Sequence, residues 1–165
     1  MAVWARSFVA GEHNLDTLEI LVGMTRRIRS DFIYAGRETV GTQEPMRTLE
    51  IGSGSCRDFA LLMMEAARSL GFAARFVSGY LYDEKLIGAE GGLVGGGATH
   101  AWVQIYLPGA GWVEFDPTNA LVGGRNLIRV AVARDPSQAV PLTGTFTGAP
   151  GDFLGMTVNV SVTAE

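Results

Sequence analysis

Cys56, the chain's single cysteine, ends the run Gly52-Ser53-Gly54-Ser55 and opens a long apolar stretch. His100 follows in Thr99-His100-Ala101-Trp102, and Asp116 in Gly111-Trp112-Val113-Glu114-Phe115-Asp116-Pro117-Thr118. A thiol, an imidazole and a carboxylate in that order could assemble a nucleophilic Cys-His-Asp constellation. An ordinary thiol, with a pKa of about 8.5, is mostly protonated at neutral pH. A helix N-terminus and a nearby histidine both favour the thiolate, and the sequence offers both. In this reading Cys56 attacks, His100 is general base and then general acid, and Asp116 fixes the tautomer and orientation of the imidazole. The Cys56 N–H supplies one oxyanion donor, and Tyr34, Gln43 and Trp4 are unranked candidates for a second. Gly52 and Gly54 would leave room for a substrate backbone and permit unusual dihedrals.

Taken singly, each residue has a plainer explanation. A lone cysteine on an apolar helix is usually a small buried hydrophobe. A histidine beside a tryptophan on a strand is often structural, and Asp-Pro starts turns. The elements around them carry the case further. Leu15 to Ile33 has helical periodicity, with a cap expected at Asn14 and arginines near its end. Ala35 to Ser55 reads as mostly loop with one short helical turn. Cys56 to Leu70 is the clearest helix, with Phe59, Leu62, Met63, Ala66 and Leu70 on one face. Ser55 with Asp58 resembles a capping box, Gly71 ends the helix, and so apolar an element belongs mid-domain.

Strands are expected at Ala73–Tyr82, Thr99–Leu107, Trp112–Phe115, Leu127–Ala133 and Met156–Val162. The turn Pro108-Gly109-Ala110-Gly111 makes the second and third of these hairpin partners, bringing His100 and Asp116 to one sheet edge. Helices first and strands afterwards give an α+β domain with an antiparallel sheet.

The chain has 165 residues, 47% of them hydrophobic and 18% charged, with a net charge of −4. That is the composition of one globular domain. No basic face favours nucleic acid, and no apolar run is long enough for a membrane helix. One cysteine excludes an internal disulfide, and a cytoplasmic setting is the simplest expectation. Two histidines and one cysteine form no metal-ligand cluster, so neither metal nor cofactor is expected. The glycine loop Gly91-Gly92-Leu93-Val94-Gly95-Gly96-Gly97 lacks a phosphate-binding Lys-Ser/Thr pair, and a flap over the site is the expectation.

Gly54-Ser55-Cys56-Arg57-Asp58-Phe59-Ala60, Arg68-Ser69-Leu70-Gly71-Phe72 through Ser78-Gly79-Tyr80, His100-Ala101-Trp102-Val103 and Gly111 through Asn119 together resemble the transglutaminase-like superfamily. Ile128 to Asp135 is similar to its C-terminal signature. The resemblance extends from about Leu18 to Val162 and implies a papain-like (cysteine proteinase) fold: N-terminal helices, a central cysteine-bearing helix and an antiparallel sheet. It also implies catalytic roles for Cys56, His100 and Asp116 in thiol-dependent acyl transfer on amide bonds of a protein or peptide. The thioester would be resolved by water, as in a protease or amidase, or by an amine, as in transglutamination. Leu61 departs from the family, standing where bacterial members often have histidine. Such members also commonly carry a β-rich domain ahead of this core, so residues 1–165 are expected to be one catalytic core, possible fragment of a longer protein. The alternative is a catalytically inactive protein-binding domain of the same fold.

Overall fold

The computed structural model describes residues 1–10, 16–37, 39–82, 98–140, 144–145, 147–155 and 160. Asn14, the glycine loop at 91–97 and, apart from Val160, the strand expected at 156–162 lie outside the described residues.

A short helix, α1 (Ala2–Arg6), precedes α2 (Thr17–Asp31). The cap of α2 is Asp16 and not Asn14: its carboxylate accepts the N–H groups of Leu18 at 2.6 Å and Glu19 at 3.4 Å. The helix ends before Ile33 because Phe32 turns extended and leads into β1 (Ile33–Tyr34). The segment expected to be mostly loop instead contains a seven-residue helix, α3 (Pro45–Ile51). Proline at its first turn and Gly52, left-handed at φ 63°, at its C-cap make this short helix possible. Next comes β2 (Ser53–Gly54), which pairs in parallel with β1, Ile33 opposite Ser53 and Tyr34 opposite Gly54.

Helix α4 (Cys56–Ser69) begins where expected. It ends at Gly71, φ 94°, with the Phe72 N–H reaching back to the Ala67 carbonyl at 3.1 Å. The strands β3 (Ala74–Leu81), β4 (Thr99–Leu107), β5 (Gly111–Asp116), β6 (Leu121–Val122) and β7 (Leu127–Ala133) form one antiparallel sheet in the order β6-β5-β4-β3-β7. This is the α+β architecture expected from the sequence.

One face of the sheet buries Phe76, Ala101, Val103, Ile105 and Phe115 in a cluster with Phe59, Leu62, Met63 and Ala66 of α4. Ala5, Leu21, Met24 and Ile28 of the N-terminal helices complete that core, so α4 is central. Each fully buried Leu, Met or Phe contributes about 1.5–3 kcal/mol. On the other face Val77, Leu81, Trp102 and Leu127 form a second buried cluster. At Gly79 the pairing of β3 with β7 shifts register. A Cβ at this position would lie 2.0 Å from the Ile128 carbonyl oxygen and 2.7 Å from the Trp102 ring, so only glycine fits without displacing backbone.

Candidate active site

Cys56 is the first residue of α4, where a helix has no preceding turn to supply an acceptor for the N–H. What holds this turn in place is Asp58, whose side chain is fully buried. One carboxylate oxygen, Oδ2, accepts the Ser55 N–H and hydroxyl, each at 2.8 Å, and Arg37 Nε at 3.0 Å. The other, Oδ1, accepts the Gln43 N–H at 2.6 Å and Arg37 Nη2 at 2.8 Å. Burial alone would raise the Asp58 pKa. The Gln43, Ser55 and Arg37 donors outweigh burial and hold it below the ordinary carboxylate value. Gly54 lacks a side chain for a related reason: a Cβ there would come within 2.8 Å of the Asp58 Cβ. Packing against Asp58 and Phe59, rather than room for substrate, is what the structure requires of this glycine.

Register brings His100 to the same end of the domain. β4 pairs with β5 through Val103 opposite Phe115, and beyond that paired stretch His100 Nε2 meets Asp116 Oδ2 at 2.9 Å. Both side chains are fully buried. Asp116 is itself fixed: Oδ1 accepts the Thr118 N–H at 2.9 Å, and Oδ2 also accepts Asn119 Nδ2 at 2.8 Å. A carboxylate facing Nε2 places a proton on that nitrogen, leaving Nδ1 as the nitrogen that can exchange one. Nδ1 is buried, and among the described residues it has no partner of regular hydrogen-bond geometry. Burial disfavours the imidazolium. The Asp116 hydrogen bond, the Cys56 hydrogen-bonding interaction and the negative charge of both partners outweigh burial and push the His100 pKa up to about 10. The three residues singled out in the sequence are thus brought together, with Cys56 keeping 7% of its surface exposed.

Of the three candidates for a second donor, Tyr34 is the one whose side chain feels the charge at Cys56. Pairing with Gly54 fixes its backbone. Its phenol is pushed above the ordinary value by burial first and then by negative charge at Cys56, with Arg57 opposing. The Gln43 side-chain amide is committed to Thr48 Oγ1 at 2.9 Å and the Ser53 carbonyl at 3.1 Å. Trp4 packs edge-on against Phe8 and Phe32.

Two parts of the site were not singled out in the sequence. Arg37 gives no local signal, because its partner is 21 residues away. Glu114 binds Trp102 Nε1 and Gln104 Nε2; the expected turn at 108–111 would have set Gln104 opposite Phe115, whereas β5 starts at Gly111 and pairs Gln104 with Glu114. Among the described residues no three His, Cys, Asp or Glu side chains are grouped to hold a metal, and no helix is long and apolar enough to cross a membrane.

Residues 3–117 match the transglutaminase-like superfamily. An uncharacterized protein of Mycobacterium leprae is 32% identical over 148 residues, covering 90% of this chain and 52% of that protein. A protein-glutamine gamma-glutamyltransferase of Pseudomonas aeruginosa is 38% identical over 66 residues, 40% of this chain and 10% of that protein. A solved structure from Cytophaga hutchinsonii, described as a candidate cysteine protease, superposes with a TM-score of 0.64 at 27% identity, covering 84% of this chain and 43% of that one. The chain spans about half the length of the mycobacterial relatives it matches.

Proposed function

Because the chain belongs to the transglutaminase-like superfamily, we propose that it catalyses thiol-dependent acyl transfer on amide bonds of a protein or peptide, with Cys56 as nucleophile, His100 as general acid and base, and Asp116 orienting the imidazole. The observation that supports this most is the buried imidazole engaged by Asp116 through Nε2, with its protonated form favoured by both Asp116 and Cys56.

In the first half-reaction the Cys56 thiolate attacks the amide carbonyl carbon. A C–S bond forms, and the carbonyl π pair moves onto oxygen. The Cys56 N–H, at the helix start, is one donor to that oxyanion, and the Tyr34 hydroxyl is the second. Collapse breaks the C–N bond, and the leaving nitrogen takes the proton from His100 Nδ1. In the second half-reaction water or an amine attacks the thioester, His100 removes the nucleophile's proton, and the thiolate departs. Hydrolysis and transglutamination share every residue in this scheme, and relatives named for each reaction are found. They differ only in the acceptor that reaches the thioester.

The test uses glutamine-donor peptides with and without a free alkylamine, comparing wild type with Cys56→Ala. Ammonia release without amine incorporation selects hydrolysis, and incorporation selects transglutamination. Cys56 should be alkylated by iodoacetamide near neutral pH faster than in the denatured chain, and His100→Ala should slow it. A thiol no faster than the denatured control would refute the enzyme reading in favour of an inactive, protein-binding domain. The cytoplasmic setting rests on the single cysteine, and cell fractionation tests it.

A further inference from the structure

Glu114 is a buried carboxylate for which the acyl-transfer chemistry has no use. Only 7% of its surface is exposed. It accepts the Trp102 indole N–H and, at 2.6 Å, Gln104 Nε2, and it lies 3.5 Å from Arg129 Nε. Gln104 is held in turn by Arg75 Nε, 2.7 Å from its carbonyl oxygen. A buried carboxylate is expensive unless its donors are well placed, and an apolar residue of similar volume would usually serve stability as well. A requirement other than stability therefore merits a search, and the network leads to His100.

Trp102 is completely buried. Its indole is tilted only 28° from the plane of the His100 ring, with centroids 6.1 Å apart. The far edge of the indole occupies the space that a side chain at Gly79 would fill. The ring is thus held at its N–H by Glu114 and at its opposite edge by the bare backbone of β3. An aromatic face attracts a cation, and more so when desolvated. An N–H donated to a carboxylate polarises the indole in the direction that strengthens this attraction.

We propose that Trp102, clamped by Glu114, is a positioning residue for His100: it fixes the plane of the imidazole so that Nε2 stays on Asp116, and it favours the cationic ring through the indole face. That the ring is held follows from the network alone. What the held ring does for Cys56 rests on the acyl-transfer reading above. Among the described residues, the charged groups that act on the imidazole are Asp116 of β5 and Cys56 of α4, while Glu114 of β5 and its neighbour Arg129 of β7 reach it only through Trp102.

The test reads His100 directly. The chain has two histidines, so a 15N-histidine-labelled sample gives two imidazole titrations, and His100→Ala identifies which is which. Trp102→Leu and Glu114→Gln should each lower the His100 midpoint by about one pH unit, a tenfold loss in proton affinity, and Trp102→Phe, which keeps a ring face, should fall in between. Far-UV circular dichroism checks that each variant is folded. If Trp102→Leu does not fold, the Glu114→Gln and Trp102→Phe titrations decide. Midpoints equal to wild type in the folded variants would overturn the proposal. Iodoacetamide alkylation of Cys56 separates the two readings. A His100 midpoint that follows Trp102 while His100→Ala leaves alkylation unchanged supports the positioning role and refutes acyl transfer. A midpoint indifferent to Trp102, with alkylation dependent on His100, does the reverse.

Discussion

Replacing Asp58 with asparagine should be among the most destabilising single changes outside the apolar core. The carboxylate receives five donors: Arg37 through two nitrogens, the Gln43 N–H, and the Ser55 N–H and hydroxyl. Asparagine offers one oxygen, and its amide nitrogen would face donors across the other half of the site. It also leaves Arg37, only 25% exposed, without its counter-charge. Breaking a buried pair in this way costs about 3–5 kcal/mol. For a domain of this length each kcal/mol shifts the melting temperature by about 2–4 °C, giving a fall of about 6–20 °C. The measurement is urea and thermal unfolding by circular dichroism at pH 7. The pH dependence supplies a second arm. Because the Asp58 pKa is lowered in the folded chain, its contribution is fully present above the unfolded value of about 3.9 and is lost as pH falls through the lower, folded one. Wild type should therefore lose more stability than Asp58→Asn on acidification through this range. Gly54→Ala pushes a Cβ to within 2.8 Å of the Asp58 Cβ, so its cost should be less than additive with Asp58→Asn. A melting temperature within 2 °C of wild type, by rough allowance from the same scale, would refute the view that Asp58 organises the start of α4.

Other outcomes follow from the same packing. Gly79→Ala, which forces a Cβ against the Ile128 carbonyl and the Trp102 ring, should cost about 1–3 kcal/mol or more in urea unfolding and alter the near-ultraviolet tryptophan signal; an unchanged midpoint would contradict the packing at this position. His100, raised to about 10, should contribute stability that is fully present below pH about 6.5 and lost as pH rises through about 10. The gap in melting temperature between wild type and His100→Gln should therefore shrink over that window, and a constant gap would count against the shift. Tyr34→Phe should lower amide turnover about a hundredfold, the typical loss of one oxyanion donor, while leaving iodoacetamide alkylation of Cys56 nearly unchanged. Equal losses in the two assays would remove Tyr34 from the oxyanion site.

The elements legible in the sequence are those whose ends carry their own chemistry. β4 and β7 fall at Thr99–Leu107 and Leu127–Ala133 as expected, because alternation runs between clear turn residues. Helix α4 is bounded by Ser55 with Asp58 at one end and Gly71 at the other. Helix α3 was harder to see, since seven residues hold too few apolar positions to establish a period. The cap of α2 moved from Asn14 to Asp16 because both are good capping types and only the observed contacts distinguish them. Long-range partners were the least visible. Nothing near Arg37 in the sequence announces that its guanidinium meets Asp58, and nothing near Trp102 announces Glu114 at its indole N–H.

Those long-range partners share one physical purpose in the proposed mechanism. A thiolate–imidazolium pair functions only if its two members keep their spacing while a proton shifts between them, and each member sits on a different element. Asp58 fixes the first turn of α4 by gathering donors from the N-cap residue Ser55, the Arg37 segment and the loop before α3. Asp116 fixes the imidazole from β5 and is itself held by the Thr118 N–H and Asn119 Nδ2. In the proposed mechanism the proton moves between the thiol of Cys56 and Nδ1 of His100, and the two buried carboxylates serve it by fixing the elements that carry them.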